Sequence, residues 1–100
     1  MQYLVTTSDN GDINWDKHSE ILRTEAEHVL SLFNRGVLRN IWFTEKNDAV
    51  LLFECDCIED VGFVMNKLPL VSESLIKYEV MCLFPYTGFG RIINGTDKYS

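Results

Sequence analysis

The run DAVLLFECD, residues 48–56, narrows the possible folds more than any other stretch of this chain. Val50, Leu51, Leu52 and Phe53 are consecutive and apolar. Side chains alternate across a strand, so an unbroken apolar run gives it two apolar faces, and both must be covered. With 100 residues there is material for one core and one domain. The chain's own helices can cover one face of such a sheet. Something else has to cover the other.

The surrounding pattern supplies the rest of the sheet. QYLVTT (2–7) is a strand candidate, and SDNGDIN (8–14) is rich in turn formers. Between Asp16 and Arg35 the apolar residues Ile21, Leu22, Val29, Leu32 and Phe33 recur at helical spacing. Asn14 or Asp16 suits the start of that helix as a cap, and Gly36 suits its end. VLRNIWFTE (37–45) and AVLLFECD (49–56), parted by Lys46-Asn47-Asp48, read as a hairpin. CIEDVGFVMNKL (57–68) is helical by Ile58, Val61, Val64, Met65 and Leu68, with Gly62 as a weak point and Pro69 as the stop. LIKYEVMCLF (75–84) alternates, with Ile76, Tyr78, Val80 and Cys82 on one side. The domain is expected over residues 1–92. TGFGRIINGTDKYS begins as flexible Gly-rich chain and ends as a polar tail over 93–100; its Asn94-Gly95-Thr96 has the form of a glycosylation sequon, without meaning absent a secretory route.

Strand, helix, strand, strand, helix, strand is the ferredoxin-like split βαβ order. Two helices cover one face of the four strands, and a second copy is the simplest cover for the other. The predicted fold class is therefore α+β: a ferredoxin-like βαββαβ protomer forming a dimeric α+β barrel. A homodimer is expected, with room for a higher oligomer.

Charge and cysteine content exclude several classes. The net charge is −6 and the nine basic residues are scattered, which argues against nucleic acid as a partner. No apolar run approaches a membrane span, and MQYLVTTSDNGD lacks the features of a signal peptide, so the expected compartment is the cytoplasm. Cys55, Cys57 and Cys82 are odd in number, and Cys55-Asp56-Cys57 has the wrong spacing for zinc. No metal and no organic cofactor is expected. TGFG lacks the Lys-Ser/Thr and following helix of a phosphate loop.

Leu68-Pro69-Leu70 followed by Ile76, Val80 and Phe84-Pro85 resembles the carboxy-terminal segment of muconolactone isomerases. Glu25, Gly36, Arg39 and Trp42 extend the resemblance upstream, so that it runs from Leu22 to Pro85. It implies a dimeric α+β barrel and a cofactor-independent proton shift on a small carboxylated ring compound. Where that family has an Arg-His pair, this chain has Leu83-Phe84. The same barrel also serves cyclases, cofactor-free monooxygenases and proteins that only bind a small apolar molecule or assist a partner, which are the alternatives.

Glu25 is the leading catalytic candidate because it interrupts the apolar stripe of the first helix. A carboxylate there must be paired, hydrogen-bonded or protonated, and burial would tune it for acid–base work. A structural pair with Arg39, or a side chain reaching out to solvent, is the plainer alternative. Arg39 is the candidate holder of a substrate acid group by a bidentate fork, or else a partner for Glu25 or Glu54. Trp42 is a second candidate binding residue. It lines a pocket together with Arg39 only if a bulge or the barrel curvature turns one of them, and otherwise belongs to the core or an interface. Tyr86 is expected at the cavity mouth or on the surface. Leu70 and Val71, past the Pro stop, either plug that mouth, touch a partner or join the core. His18 and His28 fall in no recognisable catalytic grouping.

Overall fold

Val5, Phe53 and Val61 are fully buried and come from two strands and a helix, which places the core between one sheet face and the helices. The structure, a computed structural model, describes residues 1–93. Strand β1 (Gln2–Asp9) leads through a 3-10 turn (Trp15–Lys17) to helix α1 (Ser19–Asn34). Strands β2 (Leu38–Phe43) and β3 (Ala49–Glu54) form the hairpin, followed by helix α2 (Ile58–Met65), the short helix α3 (Pro69–Ser72), strand β4 (Ile76–Leu83) and helix α4 (Phe89–Ile93). The sheet order is β2-β3-β1-β4 and every pairing is antiparallel. The protomer is the ferredoxin-like α+β fold expected from the element order.

The alternation read in β4 holds in space, and β1 shows the same. Tyr3, Val5 and Thr7 are buried while their neighbours are not, and Tyr78, Val80 and Cys82 pack against the same core. Leu51 and Phe53 point the same way from β3. On the opposite face Leu52, Leu4 and Met81 lie in register across three strands, and Val50 pairs with Trp42. That face carries no helix. Met81 and Trp42 are accordingly about half exposed, at 46% and 47%.

Three local expectations are corrected. Neither Asn14 nor Asp16 caps α1: Asn14 Oδ1 accepts the Asp16 N–H at 3.3 Å and caps the 3-10 turn, while His18 precedes α1 without a side-chain cap bond. Pro69 does not act by ending α2, whose last helical residue is Met65. It opens α3 instead, with Leu68 extended at φ −66° and ψ 132° before it. Both halves follow from proline chemistry, since the ring excludes helical geometry at the preceding residue and favours it at its own. The segment after β4 is not flexible chain throughout, because Phe89–Ile93 is helical. Gly36 does end α1, at φ +76°, where a residue with a Cβ is strained. The sequon at 94–96 and the polar tail beyond Ile93 lie outside the described residues.

Candidate active site

Helix α1 is amphipathic, yet it does not press its apolar face onto the sheet along its whole length. Only Leu32 is buried. Leu22, Ala26, Val29, Leu30 and Phe33 instead form one wall of a cavity of about 790 Å³. Its floor is Thr7, Leu51, Met65 and Leu68, all buried, and its other walls include Trp15, Leu70 and Ile76. The hairpin between β2 and β3 brings Trp42, Phe43, Asn47 and Asp48 to the rim. Phe43 and Leu30 remain largely exposed, so the cavity opens to solvent on that side. Ligand pockets run to roughly 300–1,000 Å³ and are mainly apolar with a few convergent polar groups. This one fits that description.

Glu25 projects from α1 into this space. Its Oε1 accepts the backbone N–H of Leu70 at 3.0 Å. That donor exists because Pro69 starts α3: the first turn of a helix has N–H groups with no internal partner. Desolvation pushes the Glu25 carboxyl above the ordinary glutamate value, opposed by the Leu70 N–H and by the nearby charge of His28. Among the described residues no salt bridge reaches Glu25. A half-buried, raised carboxyl beside an apolar cavity is suited to take up and return a proton.

Several other polar groups on the cavity wall are already hydrogen-bonded. Trp15 Nε1 donates to Asp9 Oδ2 at 2.9 Å, and Thr7 Oγ1 donates to the Ala49 carbonyl at 2.8 Å. Asp48 sits at the rim, where its N–H bonds Thr44 Oγ1 at 3.2 Å. Asp9, Trp15, Asp48 and Thr7 carried no functional expectation. Nothing in their spacing links them, and only the strand pairing and the 3-10 turn bring them together.

Of the four residues expected at the site, Glu25 lines the cavity, Trp42 borders only its rim because its pairing with Val50 turns the ring to the helix-free face, and Arg39 and Tyr86 do not line it. The ladder between β2 and β3 shifts between Leu38 and Asn40, leaving Arg39 as the extra residue of a bulge. Its Nε donates to the Gly36 carbonyl at 2.8 Å. It is not the partner of Glu25. Its charge acts on Glu54, whose carboxyl is held below the ordinary value chiefly by the amino group of Met1. Tyr86 is exposed and packs edge-on against Phe89 at 4.8 Å, over a glycine, Gly88, where a Cβ would collide with the phenol ring. Of the histidines, His18 stacks edge-on against Trp15 at 6.0 Å and His28 lies exposed on α1.

Val71 packs against the core, and Leu70 is a cavity wall. Cys55, Cys57 and Cys82 are free thiols, and no cluster of three potential ligands for a metal ion occurs among the described residues. Nor does any helix among them have the length and apolarity to cross a membrane.

Neither a protein-family model nor a curated protein sequence matches the chain. Solved structures do. A crystal structure of muconolactone isomerase superposes with a TM-score of 0.73 over 86% of this chain and 91% of that one, at 19% identity. The 5-chloro-2-hydroxyhydroquinone dehydrochlorinase of Burkholderia phenoliruptrix, in complex with 2,5-dihydroxybenzoquinone, gives 0.65 over 88% and 98%, at 14% identity. In fold, this chain is muconolactone isomerase-like.

Proposed function

We propose that this protein is a small, cofactor-independent enzyme that shifts a proton between carbons of a small ring compound, with Glu25 as the acid–base group. The observation that carries this reading is the position of Glu25, half-buried on an apolar cavity and tethered through one oxygen to Leu70. The carboxylate takes the proton from a ring carbon beside a carbonyl and returns it to another carbon of the same ring system. Atoms and charge balance without a co-reactant. The likeness to muconolactone isomerase and to a dehydrochlorinase supports a ring compound as substrate. Arg39 as the holder of a substrate acid group has no support within one protomer, because its guanidinium lies outside the cavity.

The functional unit is proposed to be a homodimer, in which the helix-free sheet face of each protomer covers the other. Leu4, Val50, Leu52 and Met81 form the apolar centre of that face. Covering it would give β3 the two-sided burial that its composition demands.

Deuterium uptake tests the reaction. Unsaturated five-membered lactones incubated with the protein in D2O should exchange ring hydrogens faster than in buffer, as followed by proton NMR, and Glu25→Gln should abolish the excess rate. Equal exchange with parent and variant would end the assignment. A purely binding barrel, which the apolar lining also suits, would instead protect a ligand without exchanging it.

A further inference from the structure

The polar side chains around the cavity share one chemical property. Asp9, Glu25 and Asp48 are carboxylates, and no Lys, Arg or His lines the space among the described residues. Thr7 has committed its hydroxyl proton to Ala49, which leaves the oxygen as an acceptor. Trp15 has committed its indole proton to Asp9. The Leu70 N–H that reaches this space is already bonded to Glu25. Asn47 alone retains a side-chain amide able to donate. The cavity is therefore rich in acceptors, poor in donors and negative.

We infer that the cavity selects an uncharged ring compound bearing hydroxyl donors and rejects carboxylated ones. This deepens the proposed function by naming the substrate class of the same site, and it departs from the carboxylated ring that the family resemblance implies. Two physical effects act together. A carboxylate brought among three others is repelled, more strongly in a low-dielectric cavity than in water. It also brings acceptors to acceptors, so its desolvation goes uncompensated. A phenolic or enolic hydroxyl has the opposite balance: it donates to Asp9, Glu25 or Asp48 and lays its ring against Trp15 and Phe43. A primary ammonium would also find acceptors, but giving up its hydration shell costs more, which sets it behind the hydroxyl in this mainly apolar space.

Three phenols of near-equal shape separate the possibilities: 4-(hydroxymethyl)phenol, 4-hydroxybenzoate and 4-hydroxybenzylamine. Trp15 lines the cavity with its ring, so its indole N–H signal in 1H–15N NMR reports occupancy directly, and Trp42, whose pairing with Val50 turns its ring to the helix-free face, serves as an internal reference. Titrations use the full chain at pH 7, with Glu25→Gln in parallel so that binding is read without turnover. The neutral phenol should shift the Trp15 indole signal, with the benzoate at least about tenfold weaker and the amine intermediate; a single unfavourable charge contact of roughly 1.4 kcal/mol is that factor. Asp48→Asn removes one charge while its amide oxygen can still accept a hydroxyl, so it should narrow the gap between benzoate and neutral phenol several-fold. Equal or tighter binding of the benzoate overturns the inference, and tighter binding of the amine overturns it in favour of a cation site. Either result leaves Glu25-dependent deuterium exchange standing if that exchange is seen. If no compound moves the Trp15 indole signal, the cavity is not a binding site, and this inference falls together with the proposed function.

Discussion

Glu25 and Leu70 are 45 residues apart in the chain and joined by one hydrogen bond of 3.0 Å between a side-chain oxygen and a backbone N–H. The bond connects the middle of α1 to the first turn of α3, and it is the polar link between two walls of the cavity. It holds one carboxylate oxygen still. Among the described residues Oε2 has no hydrogen-bond partner, which leaves it the oxygen able to carry a proton.

Glu25→Gln is expected to separate catalysis from structure. The amide oxygen still accepts the Leu70 N–H, so denaturant unfolding should change by less than about 1 kcal/mol. Turnover on an exchanging substrate should fall by about 10²–10⁴, the usual weight of a positioned acid–base group. A large loss of stability with activity retained would make Glu25 a structural residue.

The pH dependence has a defined sign. Burial pushes the Glu25 carboxyl above its unfolded value, so the folded chain holds this proton over a pH window where the unfolded chain has released it. Its contribution to stability is thus favourable below the ordinary glutamate value and is lost as pH rises through the folded value. Compared with Glu25→Gln, the parent should be relatively most stable in acid. Partial exposure screens the effect, so a modest difference is expected. Urea midpoints of both proteins from pH 4 to pH 8 measure it, and a parent that gains on the variant as pH rises would contradict the placement of this carboxyl.

Leu52→Lys is expected to split the dimer without unfolding the protomer. Leu52 lies on the helix-free face, in register with Leu4 and Met81, and the buried core is on the other side of the sheet. Sedimentation at micromolar concentration should show a dimer for the parent and a folded monomer for the variant. A parent that sediments as a stable monomer would remove the barrel, and the exposed face would need another cover.

Phe53→Ala and Phe43→Ala should differ sharply although both are in the hairpin. Phe53 is fully buried and Phe43 is 71% exposed at the cavity rim. The first should cost about 3–5 kcal/mol in unfolding free energy through cavity formation. The second should cost little in stability and should weaken ligand binding instead, measured by the same NMR titration.

Gly36→Ala isolates backbone strain. At φ +76° a Cβ there would meet nothing within 4 Å, so the substitution has no packing clash. The loss expected from the left-handed conformation alone is about 1–2 kcal/mol. Thermal unfolding measures it.

The order of elements was legible in the sequence, because each element carries its own local pattern. Alternation in LIKYEVMCLF places Tyr78, Val80 and Cys82 on the core side, and helical spacing places Glu25 within the apolar stripe of α1. Two-sided apolarity in Val50–Phe53 marked β3 as a strand that needs cover on both faces, of which the helices supply one. What the carboxylate touches could not be read in that way. Complementary charge suggested Arg39 as its partner, but charge in a sequence has no direction. The bulge in β2 leaves Arg39 bonded to Gly36, and a backbone N–H of α3 takes the place beside Glu25. The Trp15–Asp9 bond and the acceptor-rich lining were equally hidden, since they depend on a 3-10 turn folding back over β1. Local periodicity determined which face each residue presents, because it is a property of neighbours along the chain. Tertiary packing alone decided which faces meet, and with that the polarity of the cavity, because those contacts join residues far apart in sequence.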